Sequence, residues 1–184
     1  MDPELYRALA RYNSWMTGRL YETCAELSDA QRREDRGAFF KSIHSTLNHI
    51  LFADSVWMNR FTGRSYAHRG MGVDIHDDFD ALRQAHLAIT DEISNWVETL
   101  DVEWLAGDLT WTSSDGKRTS TRPRWLLVSH LFNHQTHHRG QITTMLSQCG
   151  LDIGVTDLPF VPEQTGAHTT KFADTPNGQS AADI

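Results

Sequence analysis

The chain lacks the features of a secreted, membrane-spanning or nucleic-acid-binding protein. Its 184 residues include only two cysteines, Cys24 and Cys149, whose spacing matches no zinc motif. No stretch approaches the roughly 20 apolar residues that a membrane-spanning helix needs. There is no long run of lysine and arginine, and the net charge is −7, so the basic surface of a nucleic-acid-binding protein is missing. We therefore expect no membrane or nucleic-acid partner.

The composition fits one globular domain. Apolar residues make up 39% of the chain, with six tryptophans and eight phenylalanines, which is ample for a packed core. The first residues show no basic segment followed by an apolar one, so we predict no signal peptide and a cytoplasmic location. The two cysteines are then expected to be reduced and to serve as small packing residues. We predict a domain over residues 1–164 and a polar tail over residues 165–184.

Four segments carry the 3.6-residue apolar period of amphipathic helices. They are residues 3–27, 39–61, 78–100 and 123–149. Asp2 and Pro3 suit the start of the first helix, and Gly63 and Gly150 suit the ends of the second and fourth. Residues 108–122 are rich in β-forming residues around a glycine-containing turn, which predicts a short β-hairpin between helices 3 and 4. The predicted fold class is all-α, a four-helix bundle with one hairpin.

The fourth helix contains a row of histidines. Residues 130–141 hold four of the ten histidines in the chain. His130, His134 and His138 are four residues apart, so a helix places them on one side, and the same side carries Leu127, Leu131 and Met145. Buried imidazoles need hydrogen-bond partners or a metal ion. An i, i+4 histidine pair is the spacing by which one helix offers two nitrogens to one ion.

A third ligand must come from another helix. The second helix is expected to bury Phe39, Ile43, Leu47, Ile50, Val56 and Trp57. His49 lies beside this stripe, whereas His44 lies about 140° away around the helix. We therefore predict a divalent metal site formed by His49, His134 and His138, with one coordination position left open. That the two helices face each other is a hypothesis, and ordinary core packing is the alternative interpretation of any single histidine.

Other polar residues on this helix are weaker predictions. His130, His137 and Gln141 are expected to line the pocket or to support the ligands. Gly140 weakens the helix by about 1 kcal/mol relative to alanine, and close approach of another helix is one reason to tolerate it. The histidines predicted to lie in loops or on solvated faces are His68, His76, His86 and His168.

Several motifs resemble those of the DinB family of DinB/YfiT-like metalloenzymes. The fourth-helix motif of that family is similar to NHQTHHRGQ at residues 133–141, and its second-helix motif to TLNHI at 46–50. Its first-helix signature is similar to YNSWM at 12–16, and FFKSI at 39–43 also resembles the family. The resemblance extends from about residue 5 to residue 160, and the motifs are specific as a set.

The resemblance implies a four-helix bundle that holds a metal ion through one histidine of helix 2 and two of helix 4. Residue by residue, these are His49, His134 and His138. The family metal is zinc, nickel or another divalent ion, and many members are homodimers. The superfamily includes thiol-dependent S-transferases and a mycothiol-dependent maleylpyruvate isomerase. The damage-inducible label describes regulation and implies no DNA binding.

Three functions are compatible with an open three-histidine site. The first is an S-transferase, in which the metal holds a low-molecular-weight thiol beside an electrophile. The second is a metal-dependent hydrolase, but Asp54 lies about 140° from His49 around the helix and is a poor general base. The third is a non-catalytic protein of a stress response that binds a metal or small ligand. Zinc is the first choice of metal because imidazole suits it, and nickel remains open. No catalytic residue is assigned.

Overall fold

The structure is a computed structural model that describes residues 2–66, 70–113 and 116–162. Its helices are α1 (Pro3–Ala25), α2 (Asp29–Arg33), α3 (Ile43–Thr62), α4 (Phe79–Glu98), α5 (Val102–Ala106) and α6 (Arg124–Gln148). Its strands are β1 (Asp108–Thr112) and β2 (Thr119–Pro123). The predicted all-α class and the hairpin are confirmed. The predicted tail lies outside the described residues, and its boundary stays a prediction.

The four long helices enclose one core. Helix α1 packs on α4 and α6, and α3 packs on the same two helices, so the four form a closed ring. Leu20, Leu47, Ile93 and Leu131, one from each helix, are fully buried. Burial of each such side chain contributes roughly 1.5–3 kcal/mol, so packing of the apolar faces stabilises these helices more than intrinsic propensity does. None of the helices in the described part of the chain is long and apolar enough to cross a membrane.

The helix ends follow the capping signals in the sequence. Asp2 accepts a hydrogen bond from the backbone N–H of Glu4, and Pro3 is the first residue of α1. Helix α3 ends at Gly63, whose φ of 74° lies in the left-handed region that glycine adopts without steric cost. The hairpin strands pair antiparallel from Asp108 with Pro123 to Thr112 with Thr119 and lead directly into α6.

The prediction that Phe39 belongs to the core is wrong. Helix α3 begins at Ile43, after Ser42 caps it, and not at residue 39. Residues 38–41 form a tight turn in which the N–H of Lys41 donates to the carbonyl oxygen of Ala38 at 2.8 Å. Phe39 lies in this turn and is 82% exposed. The apolar period extends across the cap because Phe39 precedes Ile43 by four residues, but the serine cap marks the physical start of the helix.

Gly140 also lacks, among the described residues, the close approach of another helix that the sequence analysis offered as a reason for it. Gly140 lies on an exposed face of α6, and apart from its chain neighbours and the nearby backbone of α6, no described heavy atom lies within 4 Å of the position that a Cβ would occupy. No other helix of the described residues therefore approaches it. The two cysteines are unpaired in the described structure, with Cys24 buried in the core and Cys149 half-buried against it, as expected for packing residues.

Candidate metal centre

Three histidine side chains from α3 and α6 meet at one point. Nε2 of His134 lies 3.1 Å from Nε2 of His49 and 3.1 Å from Nε2 of His138. One ring nitrogen of each histidine lies within 4.8 Å of those of the other two. His49 and His134 are half-buried, and His138 is buried. The structure thus brings together the three residues that the sequence nominated, and it brings no other metal-ligating residue of the described chain into this cluster.

The spacing of the nitrogens fits one first-row metal ion. Zinc–nitrogen bonds of about 2.0–2.1 Å in a tetrahedron place neighbouring ligand atoms about 3.3 Å apart. Nitrogen lone pairs that face one another at such distances repel unless a proton or a cation lies between them. Neutral imidazole is a good ligand for zinc, copper, iron and nickel. The donor set therefore fits a divalent ion of this kind.

Burial keeps the three imidazoles neutral. Burial first, and proximity to His138 second, lowers the pKa of His49 to about 4. Burial, followed by the neighbouring histidines, lowers the pKa of His134 to about 3. Burial also lowers the pKa of His138, although its hydrogen bond to Gln141 opposes that shift. Metal binding requires the unprotonated ring nitrogen, so these shifts keep the ligands ready at neutral and mildly acidic pH.

Gln141 orients one of the three histidines. Its Oε1 lies 2.8 Å from Nδ1 of His138. An amide oxygen only accepts, so Nδ1 of His138 carries the proton and its Nε2 presents a lone pair to the cluster. The amide nitrogen of Gln141 lies 3.4 Å from Nε2 of His137. The contact with His138 is the kind of support that the sequence hypothesis assigned to Gln141.

His130 and His137 flank the cluster without joining it. Both are exposed. The ring of His130 lies edge-on to Trp57, with centroids 5.1 Å apart, and 5.8 Å from the ring of His134. The ring of His137 lies 4.8 Å from that of His138. Neither supplies a fourth ligating nitrogen in this arrangement, which leaves room for an external ligand.

An aromatic side chain that the sequence analysis did not assign covers His49. The ring of Phe40 stacks on the imidazole of His49 with centroids 3.8 Å apart and planes inclined by 19°. Phe40 belongs to the same turn as Phe39, directly before the capping residue of α3. The available signal in the sequence was the pair Phe39 and Phe40 before the capping residue Ser42. The apolar period instead favoured a helix that begins at residue 39.

A second polar cluster lies inside the bundle, and the sequence analysis missed it. His86 was predicted to be solvated, but it is only 2% exposed. Its Nδ1 lies 3.0 Å from the hydroxyl oxygen of Tyr21, and its Nε2 lies 3.7 Å from a carboxylate oxygen of Asp54. Gln135 donates to both carboxylate oxygens of Asp54 at 3.0 Å. A usable signal was the position of His86 four residues after the buried Leu82, on the apolar side of α4.

Helices arranged in a ring, with a histidine cluster shared by two neighbours, define a helical bundle able to hold a metal ion. The DinB family model matches residues 1–174. The chain is 25% identical over 170 residues to Protein DinB of Bacillus subtilis (strain 168), an alignment that covers 81% of this chain and 88% of that protein. The crystal structure of a DinB-like protein from Bacillus cereus ATCC 10987 superposes with a TM-score of 0.58 at 17% identity, covering 76% of this chain and 89% of that one. The chain belongs to the DinB family, as the motifs predicted.

Proposed function

We propose that the protein is a metal-dependent transferase that joins a small thiol to an electrophilic molecule. The observation that carries the proposal is the cluster of His49, His134 and His138, which offers three neutral ligands and no fourth from the described part of the chain. A divalent cation held there would lower the pKa of a thiol and so supply the nucleophilic thiolate near neutral pH. Zinc is the proposed metal, with nickel as the alternative, because three imidazoles and an open position suit it.

The thiol must come from a separate molecule. Burial raises the pKa of Cys24 to about 12, so its thiolate is scarce at neutral pH. Cys149 follows the last residue of α6, about 16 Å along the helix axis from His138. Neither cysteine of the chain can therefore serve as the nucleophile at the cluster. A low-molecular-weight thiol that diffuses in satisfies the same chemistry.

The side chains around the cluster have separate tasks in this reaction. His49, His134 and His138 would hold the ion, and Gln141 would keep the lone pair of His138 directed at it. Phe40 covers one face of His49 and excludes water from that side. In the transfer, the thiol proton leaves to solvent and the sulfur electron pair forms a bond to the electrophilic carbon. The leaving group departs with the electron pair of the bond that breaks, so no oxidant or reductant is needed.

The test is conjugation by untagged protein loaded with zinc or nickel. A panel of small thiols is incubated with 1-chloro-2,4-dinitrobenzene, and the formation of thioether is followed by absorbance. We expect a rate that depends on the metal and is lost in His134→Ala but kept in His137→Ala, which alters an exposed histidine of the same helix. If no thiol reacts faster with the metal-loaded protein than with buffer, the proposal fails.

Hydrolysis is the second candidate, because the same donor set would acidify water. The position of Asp54 disfavours it. This carboxylate is fully buried and accepts two hydrogen bonds from Gln135, so it is committed to the interior and cannot serve as a general base at the cluster. Metal-dependent cleavage of p-nitrophenyl acetate without any thiol would favour hydrolysis over transfer. A homodimer, tested by light scattering, and a cytoplasmic location stay proposals drawn from family resemblance and sequence.

A further inference from the structure

A cavity of about 410 Å³ opens beside His49. Its lining residues are Phe39, Phe40, Lys41, Ser45, His49, Phe52, Gly72, Val73 and Asp74. Three of them are phenylalanines, and Phe39 and Val73 are 82% and 49% exposed. Large apolar side chains grouped at the rim of a cavity suit contact with an apolar ligand. Because His49 forms one wall, such a ligand lies next to the proposed metal.

The two charged residues of the cavity differ in whether other side chains contact their charged groups. Asp74 accepts a hydrogen bond from the hydroxyl of Ser45 at 3.2 Å, and its carboxylate lies 3.8 Å from Nε2 of His44. Lys41 is exposed, and no carboxylate of the described residues forms an ion pair with it. The charge of Asp74 is therefore directed into the protein, whereas that of Lys41 remains available to a ligand.

The backbone of Lys41 gives an independent reason to assign its side chain a role. Its φ is 67°, and among the described residues it is the one non-glycine with a positive φ. This conformation is held by hydrogen bonds of 2.8 Å from the N–H of Lys41 to Ala38 and from the N–H of Arg36 to the carbonyl oxygen of Lys41. Glycine would adopt it without steric cost. A lysine here carries backbone strain that no ion pair with another described residue compensates.

We propose that this cavity is the binding subsite for the electrophilic substrate, and that it selects a flat apolar molecule carrying one anionic group. The apolar body packs against Phe39, Phe40 and Val73, and the anion pairs with Lys41. The reacting end then points towards His49. The claim that the bound molecule is the electrophile rests on the proposed transferase function. The claim that the cavity selects an aromatic anion rests only on the residues that line it.

Binding is tested with two fluorescent probes of matched shape, 2-naphthoate and the neutral 2-naphthalenemethanol, titrated into zinc-loaded protein. We expect the anion to bind about tenfold more tightly, the effect of one charge-assisted contact. Lys41→Met should abolish this preference and leave binding of the alcohol unchanged, and Lys41→Arg should keep it. Lys117→Met, the same change in the hairpin turn, should have no effect.

Two results would overturn the inference. If Lys41→Met keeps the preference for naphthoate while removal of zinc abolishes it, the carboxylate binds the metal and not the lysine. If wild-type protein shows no preference, the cavity does not select anions. Conjugation assays separate this inference from the proposed function, because a preference without any conjugation leaves the subsite standing and removes the transferase. Conjugation without a preference for the anion would support the transferase and rule out the subsite.

A second variant tests whether Lys41 serves only to maintain the turn. Lys41→Gly removes the charge and relieves the backbone at φ 67°, so it should lower naphthoate affinity as Lys41→Met does without lowering the melting temperature. A loss of naphthoate affinity without a loss of melting temperature supports a ligand-binding role. A fall of several degrees in the melting temperature, together with equal loss of affinity for both probes, would show that Lys41 only maintains the turn.

Discussion

Helices α3 and α6 contribute to two polar clusters that satisfy their polar atoms in different ways. In the histidine cluster, Nδ1 of His49 and of His134 is buried without a hydrogen-bond partner among the described residues, and the Nε2 atoms face one another. In the interior cluster, both oxygens of Asp54 accept from Gln135, and His86 lies beside them, although Oε1 of Gln135 has no hydrogen-bond partner among the described residues. A buried carboxylate whose oxygens both accept hydrogen bonds from the protein indicates a structural role, whereas converging nitrogens without partners indicate a site that can bind a cation.

The interior cluster extends to all four long helices. Arg139 of α6 is 5% exposed and donates to Asn13 of α1 and to Thr136. Burial lowers the pKa of Arg139, and the neighbouring Tyr12 and Asp54 oppose that shift. The carboxylate of Asp54 therefore helps to keep the buried guanidinium of Arg139 charged, although the two form no direct ion pair.

The largest effect is expected from a substitution in the histidine cluster. It should lower metal affinity and leave the stability of the metal-free protein unchanged. Four-ligand structural zinc sites bind with about 10–16 kcal/mol, so loss of one ligand of three costs on the order of 4 kcal/mol, roughly a thousandfold in affinity. His134→Ala should show this loss in a chelator competition assay, and His137→Ala should not. The melting temperature of the metal-free protein should stay close to that of the wild type. Unfolding of the wild type by chelator would instead assign the metal a structural role.

Asp54→Asn should have the converse effect, which is to lower stability and leave metal affinity unchanged. It removes the buried charge that accepts two hydrogen bonds from Gln135 and helps to keep Arg139 charged, so we expect the free energy of unfolding to fall by about 3 kcal/mol. Urea denaturation of the metal-free protein measures this change, and Asp91→Asn, on the exposed side of α4, is the matched control. If Asp54→Asn instead removed metal affinity and left stability unchanged, the two clusters would form one functional unit and the contrast between them would be lost.

The contact of Gln141 with His138 should have an intermediate effect. Loss of a residue that orients a metal ligand commonly lowers affinity 10–100-fold. Gln141→Leu removes the acceptor of the Nδ1 proton and should fall in this range. Gln148→Leu makes the same change at an exposed position at the end of α6 and should bind metal as the wild type does. Equal affinities for the two variants would mean that the packing of α3 against α6 alone orients His138.

Acidification should destabilise the metal-free protein through the histidine cluster. The pKa values of His49 and His134 in the folded protein are about 4 and 3, below the unfolded value of about 6.5. The unfolded chain thus binds more protons between these values, and stability falls as the pH drops from 6.5 towards 4. With allowance for half-exposed, screened positions, we expect about 1 kcal/mol per histidine between pH 7 and 5.

The measurement for this pH dependence is urea denaturation at pH 7, 6 and 5. A double variant, His49→Gln with His134→Gln, should show a shallower dependence on pH, because neither glutamine titrates. Saturating zinc should also steepen the loss of stability with acid in the wild type, since protons compete with the ion for the same nitrogens. An unchanged slope in the double variant would place the titrating groups elsewhere.

The two clusters also differ in how far sequence reasoning reaches them. His134 and His138 repeat at helical spacing, and His49 lies beside an apolar stripe, so local patterns identify the open cluster. Tyr21 and His86 are 65 residues apart in sequence, and each is a single polar residue on an otherwise apolar face. No local pattern pairs them. Phe39 shows the same limit, because an apolar period continues through a helix cap that only the backbone conformation resolves.

The smallest expected effect touches neither cluster. Gly140 lies within α6 on an exposed face with open space around it, so Gly140→Ala should raise the free energy of unfolding by about 0.5–1 kcal/mol through helix propensity. Gly18→Ala in α1, where a Cβ also meets no atom within 4 Å, should give a similar gain. Both gains should be equal with and without zinc in urea denaturation. A loss of stability in Gly140→Ala that depends on protein concentration would show that a second copy packs against this face, because only association between copies makes stability depend on concentration.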